Sequence, residues 1–297
     1  MDFGLAVFGT VETNRPGERA MHPVELGRAL EDRDFESLFL AEHTHAPVYS
    51  TPYPGVDGGR PPNYFYSMLD PFVVLAAVAE ATTRLVVATG VTLVPQRDPI
   101  LLAKEVATLD LLSGGRFVLG IGAGWNVEEA RNHGVDPRRR FGVLRERVEA
   151  MKAIWAQEVA EYHGKHVDFA PLRSWPKPVQ RPHPPIFLGG WAPSALQRVL
   201  DIADGWLAPN IRRIDEVAGE YRRLCAMAED QGKPRPRLTV LLRSAQPRDI
   251  ETAAELAPDR ALFFTDPLRR DQMLTRLDEL ADAIEPYRGR SATDERN

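Results

Sequence analysis

The sequence predicts a (β/α)8 TIM barrel, and three observations carry that expectation. Eight short apolar runs recur along the 297 residues. Several are continuously apolar rather than alternating, as parallel strands buried on both faces require. Helical stretches lie between them, and alternating β and α units of this number argue for a barrel. A chain of this length is ordinary for one barrel domain. The alternative for the same alternation is a doubly wound open sheet.

The strand-like runs are 3–8 (FGLAVF), 38–41 (LFLA), 85–91 (LVVATGV), 117–121 (FVLGI), 186–188 (IFL), 205–207 (GWL), 238–242 (LTVLL) and 261–264 (ALFF). The helix at 70–82 opens with Asp70 as N-cap and Pro71 at the first helical position. The helix at 98–115 repeats that opening with Asp98 and Pro99, and Gly114–Gly115 supply its C-cap. In 139–157, Phe141, Leu144, Val148, Met151 and Trp155 share one face. Helices over 192–203, 214–232, 248–257 and 267–284 complete the series. Two insertions, after strands 2 and 4, are too long for plain loops. Residues 44–69 hold five prolines and four tyrosines, an aromatic content that suits a lid over a site. Residues 158–185 hold six prolines and a candidate hairpin, AEYHGKHVDFAP. Residues 1–286 read as the barrel domain and 287–297 as a polar tail.

Composition excludes several functions. The net charge is −5 with both signs interspersed. That leaves no basic footprint for nucleic acid and no polybasic membrane patch. The longest uncharged apolar stretches, such as 85–95, fall short of the ~18 residues of a membrane span. The single cysteine, Cys225, sits in a helical stretch and reads as a small core residue. The start lacks a positive n-region, so a cytoplasmic protein is expected.

The segment FVLGIGAGWNVEE (117–129) raises the question of a phosphate loop. Its glycines are spaced G-x-G-x-G after at least three strands, whereas a dinucleotide turn needs G-x-G-x-x-G after the first. In a barrel the site lies at the C-terminal strand ends. Those ends carry Glu42–His43, then Thr89–Gly90–Val91–Thr92, Gly120–Trp125, Gly189–Gly190–Trp191 and Trp206–Pro209. No zinc spacing, HExxH, nucleophile elbow or strand-end lysine is present, and no metal site is expected. A histidine, a carboxylate, tryptophans and close-approach glycines suit a bound redox cofactor that brings its own chemistry.

Three segments carry a resemblance over roughly residues 1–285. They are LFLAEH (38–43), RLVVATGVTLVPQRDPILLAKEVATLDLLSGGRFVLGIGAGW (84–125) and PKPVQRPHPPIFLGGWAPSALQRVLDIADGWL (176–207). Together they resemble the bacterial luciferase-like oxidoreductases, in particular the subgroup using the deazaflavin coenzyme F420. The resemblance implies a luciferase-like barrel with the flavin or deazaflavin at the strand C-termini. It implies a non-proline cis peptide at Gly90–Val91 beneath the ring, with His43 near the reactive centre. It also places the cofactor phosphate at Gly189–Gly190–Trp191. Where some family dehydrogenases carry a proton-donating glutamate after the strand-4 glycines, this chain has Trp125, with Glu128 and Glu129 one turn later. The family's usual glycine before strand 2 is Asp34, which tolerates a left-handed turn.

The expected activity is hydride transfer between F420 and a small organic substrate by a homodimer. The same-fold alternative is an FMN-dependent monooxygenase using oxygen. A carrier without turnover and a cofactor-free lyase or isomerase are the alternatives of other classes. His43 is the expected catalytic group, because an imidazole exchanges protons near neutral pH. Glu42, Thr89, Gly90, Val91, Gly122, Gly124, Trp125, Gly189, Gly190, Trp191 and Ser194 are the expected cofactor contacts. Gly122 and Gly124 equally suit a tight turn with positive φ. Trp206 reads as core, and Arg138–Arg140 as a solvated helix start. The phosphate is expected at 189–190 and not at 120–124. Glu128 and Glu129 would repel it there, whereas Pro193 and Ser194 open a helix whose free N–H groups attract an anion.

Overall fold

A computed structural model describes residues 1–48, 51–53, 59–192, 194–209, 214–242 and 244–288. All eight expected strands are present. In chain order the elements begin β1 (Asp2–Val7), α1 (Pro23–Glu31), β2 (Ser37–Leu40), α2 (Pro71–Ala81), β3 (Val86–Thr89), β4 (Thr92–Leu93), α3 (Pro99–Leu112) and β5 (Phe117–Gly122). They continue α4 (Val127–Asn132), α5 (Arg140–Ala156), β6 (Ala160–His163), β7 (Asp168–Leu172), β8 (Ile186–Gly189) and α6 (Ala195–Ile202). The last are β9 (Gly205–Ala208), α7 (Ile214–Asp230), β10 (Arg237–Leu242), α8 (Pro247–Leu256), β11 (Arg260–Thr265) and α9 (Arg270–Ile284). The order β1-β2-β3-β5-β8-β9-β10-β11 closes through the β1–β11 pairing, every pair being parallel. The open-sheet alternative is thereby set aside.

Strand alternation sorts the core into two layers. Ala6, Phe39, Ala88, Val118, Phe187, Leu207 and Leu262 fill the barrel interior. Their neighbours Leu38, Leu40, Val87, Leu119, Ile186 and Trp206 pack outward under the helices. The caps follow the sequence: Asp70 accepts from the Val73 N–H, and Asp98 from those of Ile100 and Leu101. Asp34 has φ 56°, as its position before β2 requires. The Gly90–Val91 bond is cis.

Two features depart from the sequence expectation. Helix α1 was not foreseen; His22 caps it, and its face of Leu26, Ala29 and Leu30 is buried. The second insertion lies where the sequence put it, after the helix that follows the fourth barrel strand. Its β6–β7 hairpin packs back along α5, the Val167 N–H donating to Glu146 and His166 lying against Gly142 near the start of that helix. Arg138 and Arg139 are solvated, but Arg140 is half-buried and turned inward.

Register sets the site. Val7 pairs with Leu40, Leu40 with Thr89, Ile121 with Leu188, and Gly189 with Leu207. The residues that follow each of these come out together at one rim.

Candidate functional site

Three elements meet around His43, which follows β2. Its Nδ1 lies 2.7 Å from Glu129 Oε2, and its side chain is only 8% exposed. Glu129 reaches it from α4, whose N-cap Asn126 accepts from the Glu128 and Glu129 N–H groups. The Glu129 side chain has no solvent exposure, and its other oxygen accepts the Thr44 N–H at 3.1 Å. With a carboxylate as acceptor, Nδ1 carries the imidazole hydrogen. Nε2 is then the free acceptor, and the Trp125 indole N–H points to it at 3.3 Å.

Aromatic rings enclose this imidazole. Phe65 stands 4.5 Å from it and Trp125 5.8 Å, centre to centre. Tyr53 meets Phe65 and Trp125 edge-on. Phe65 and Tyr53 belong to the 44–69 insertion. Thr51 ties that insertion to α4, giving both its N–H and its hydroxyl to Glu128 Oε2 at 2.7 and 2.9 Å. Those two bonds hold the Glu128 carboxyl below its ordinary value. Of the other tyrosines expected to cover the site, Tyr64 is buried and donates to Asp266, while Tyr66 is exposed. Tyr49 lies outside the described residues.

A glycine-walled floor lies at the neighbouring strand ends. Val91 projects there after the cis bond. A Cβ on Gly122 would sit 2.6 Å from Val91 Cγ2, and one on Gly189 3.1 Å from Cγ1. Gly120 is excluded from having a side chain by the Thr89 carbonyl, 2.0 Å from where its Cβ would lie. Close approach therefore explains Gly122, and positive φ (78°) explains Gly124. Beside Gly124 the Gln96 side-chain amide is buried with neither its oxygen nor its nitrogen partnered. Gly190 has φ 137°, and Trp206, buried as expected, donates to its carbonyl at 2.9 Å. Trp191 packs against Trp206. Ser194 at the start of α6 accepts a hydrogen bond from Arg198.

Two expected contacts are drawn into the fold instead. Glu42 is 3% exposed. Its Oε2 accepts the Leu93 N–H at 2.7 Å, and Oε1 accepts from Arg97. Arg97 also bonds Asp70 and Glu105. The Glu42 carboxyl thus braces the segment after Val91 and turns no side-chain oxygen toward the rim. Thr89 is fully buried, its hydroxyl donating to the Gly120 carbonyl. Conversely, sequence reasoning missed Glu129 as the partner of His43, and Phe65 as part of its enclosure.

Among the described residues no group of three or more His, Cys, Asp or Glu converges to hold a metal ion. None of the described helices is long and apolar enough to cross a membrane.

The family described as luciferase-like monooxygenase matches residues 1–297. An uncharacterized protein of Mycobacterium tuberculosis, Rv0953c, is 37% identical over 286 residues, covering 95% of this chain and 98% of its own. The fold is similar to that of monooxygenase RslO1 from Streptomyces bottropensis, with TM-score 0.80 and 19% identity over 97% of this chain and 99% of that one. It is also similar to the coenzyme F420 dependent tetrahydromethanopterin reductase from Methanopyrus kandleri, with TM-score 0.69 and 15% identity over 96% and 99% of the two chains. At those identities the two structures speak for the fold alone. The family match and the full-length relative establish more: this chain belongs to the luciferase-like monooxygenase family.

Proposed function

We propose that this barrel is an oxidoreductase that binds coenzyme F420 at its strand C-termini and transfers a hydride between it and a small organic substrate. The observation that carries the reading is the enclosed His43–Glu129 pair beside the glycine-walled floor around Val91. The residues present fit a tricyclic cofactor. A planar ring system needs a flat floor, and Gly122 and Gly189 leave Val91 uncovered. A pyrimidine edge offers neighbouring donors and acceptors, which the orphaned Gln96 amide complements. Gly189–Gly190–Trp191 and Ser194 before α6 suit a phosphate through backbone N–H groups. When bound, the deazaflavin supplies two-electron hydride chemistry.

The chain's own residues do the rest. Glu129 fixes the His43 tautomer, so Nε2 is the atom that takes or gives a proton on the substrate. Trp125, now donating to Nε2, must yield that position to the substrate. Phe65 and Tyr53 keep water from the imidazole.

Fluorescence titrations with F420 and with FMN test the cofactor. F420 is expected to bind more tightly, with negligible oxygen consumption during turnover. Tight FMN binding with NAD(P)H-driven oxygen uptake supports instead the second reading, a flavin monooxygenase, which the family's description as luciferase-like monooxygenase favours.

We also propose a homodimer through α2 and α3. Helix α2, PFVVLAAVAEA, is apolar nearly all round, which calls for cover on both sides. Yet Val73 is 72% exposed, and Leu101 and Leu112 on α3 are each more than half exposed. Val73→Asp combined with Leu101→Asp should halve the mass seen by light scattering while far-UV dichroism is unchanged. A dimer that persists in this variant, or a monomeric parent protein, would remove the proposal.

A further inference from the structure

A second set of rings stands at the rim beside the His43 enclosure, and it surrounds a carboxylate. Asp266 follows β11, and Phe8 follows β1, the strand between β11 and β2. Both come out at the end of the barrel that carries His43. Tyr64, itself 3% exposed, donates to Asp266 Oδ1 at 2.9 Å. Phe8 lies 5.2 Å from the Tyr64 ring and meets Phe264 edge-on at 5.7 Å. Phe264 packs against the barrel interior. Tyr53 joins the two sets: it touches Phe65 and Trp125, which enclose His43. Burial, then the Asp266 charge, raises the Tyr53 and Tyr64 phenols above their ordinary value.

Exposure sorts these groups by role. Tyr64 is buried, and its hydroxyl aims the carboxylate. Phe8, Tyr53 and Phe264 are half-buried and keep part of each ring accessible, and Asp266 is exposed. Among the described residues no arginine, lysine or histidine pairs with Asp266, and its Oδ2 accepts no hydrogen bond. The other carboxylates near His43 are all answered. Glu42 meets Arg97, Glu129 meets His43, and Glu128 meets Thr51 and Arg131. A carboxylate beside ring faces attracts a cation twice, by ion pairing and through the ring quadrupoles. It repels an anion and offers a neutral molecule only apolar contact and a hydrogen-bond acceptor.

We propose that Asp266, with Phe8, Tyr53 and Phe264, recognises a positively charged nitrogen, so that the substrate is an organic cation with an apolar body. The inference rests on the reading of this rim as the active site and names the substrate class for it. Tyr53 borders both sets of rings, so the charged end sits on Asp266 and the reacting end lies toward His43. Asp266 binds and selects, and the proton remains with His43.

Calorimetric titration with phenethylamine, phenethyl alcohol and hydrocinnamate tests the site. The three share a phenyl ring and a short chain, and at neutral pH they end in an ammonium, a hydroxyl and a carboxylate. The ammonium should bind about tenfold more tightly than the alcohol, the effect of one charged hydrogen-bonded contact, and the carboxylate more weakly than either. Asp266→Asn should bring the ammonium within about twofold of the alcohol. Unchanged affinity for the alcohol reports an intact fold. Tyr64→Phe, which releases the carboxylate, should lose part of the preference. Equal affinity for ammonium and alcohol in the parent protein overturns the site. So does a preference that survives Asp266→Asn, or no binding of any of the three at millimolar concentration. The measurement needs no turnover and is made with and without F420. A preference that depends on Asp266, in a protein that binds neither F420 nor FMN, supports the cation site while the hydride reading falls. F420 binding without that preference overturns the cation site and leaves the hydride reading standing.

Discussion

His43→Ala lowers turnover by about 10²–10⁴, the range expected for loss of a general acid or base. Its position leaves few other roles. The side chain is almost wholly enclosed, yet one nitrogen is committed to Glu129 and the other faces the Trp125 indole. An imidazole needed only for packing would not require a fully buried carboxylate behind it, because burying that charge is costly. Kinetics should separate the two roles. The Ala variant should keep cofactor affinity, read by fluorescence, close to that of the parent. Glu129→Gln should act through the same imidazole. An amide can donate as well as accept, so it no longer dictates which nitrogen carries the hydrogen. Its kcat should fall while cofactor binding holds. Turnover of His43→Ala within about twofold of the parent would reduce His43 to packing.

The barrel was legible because the barrel strands are buried and helices α2 and α3 begin with side-chain caps. Both signals are local. Asp70–Pro71 and Asp98–Pro99 state where α2 and α3 start within two residues. Helix α1 lacks such an opening; its cap is His22, and its nine residues give a short periodic signal. The rim glycines were also legible as a set, though the reason for Gly122 was not. Its constraint is Val91, placed by the chain 31 positions earlier. Glu129 was the main loss. In sequence it sits beside Glu128 in a polar stretch and reads as solvated charge. Only the pairing across 86 positions turns one carboxylate inward and leaves the other at the surface clamping Thr51. One signal was available: Asn126 as N-cap fixes a helical turn from 127 onward, so the two glutamates cannot share a direction. Glu42 is the opposite case. Its place at a strand end suggested the rim, but Arg97 draws it beneath the 92–97 segment.

That ion pair sets the largest expected effect on stability. Arg97→Met should destabilise the protein by about 3–5 kcal/mol, because removing one partner leaves a buried charge without compensation. The Glu42 side chain is 2% exposed, so water cannot replace the guanidinium. Burial raises the Glu42 carboxyl above its ordinary value even with Arg97 beside it, and losing Arg97 must raise it further. The folded variant then holds a proton that the unfolded chain releases near pH ~4.3. A state that binds the extra proton is favoured in acid, so this contribution falls as pH rises from there through the raised folded value. The deficit of Arg97→Met relative to the parent should therefore be widest at neutral pH and narrow toward pH ~5. Adding Glu42→Gln removes the charge and should recover part of the loss at pH 7, while the Leu93 N–H keeps an acceptor. Urea unfolding of the parent, single and double variants at both pH values measures all three quantities. A single-variant loss below about 1 kcal/mol, or a deficit independent of pH and of Glu42, would show that Arg97 is held by Asp70 and Glu105 and that the buried Glu42 charge is not what it balances.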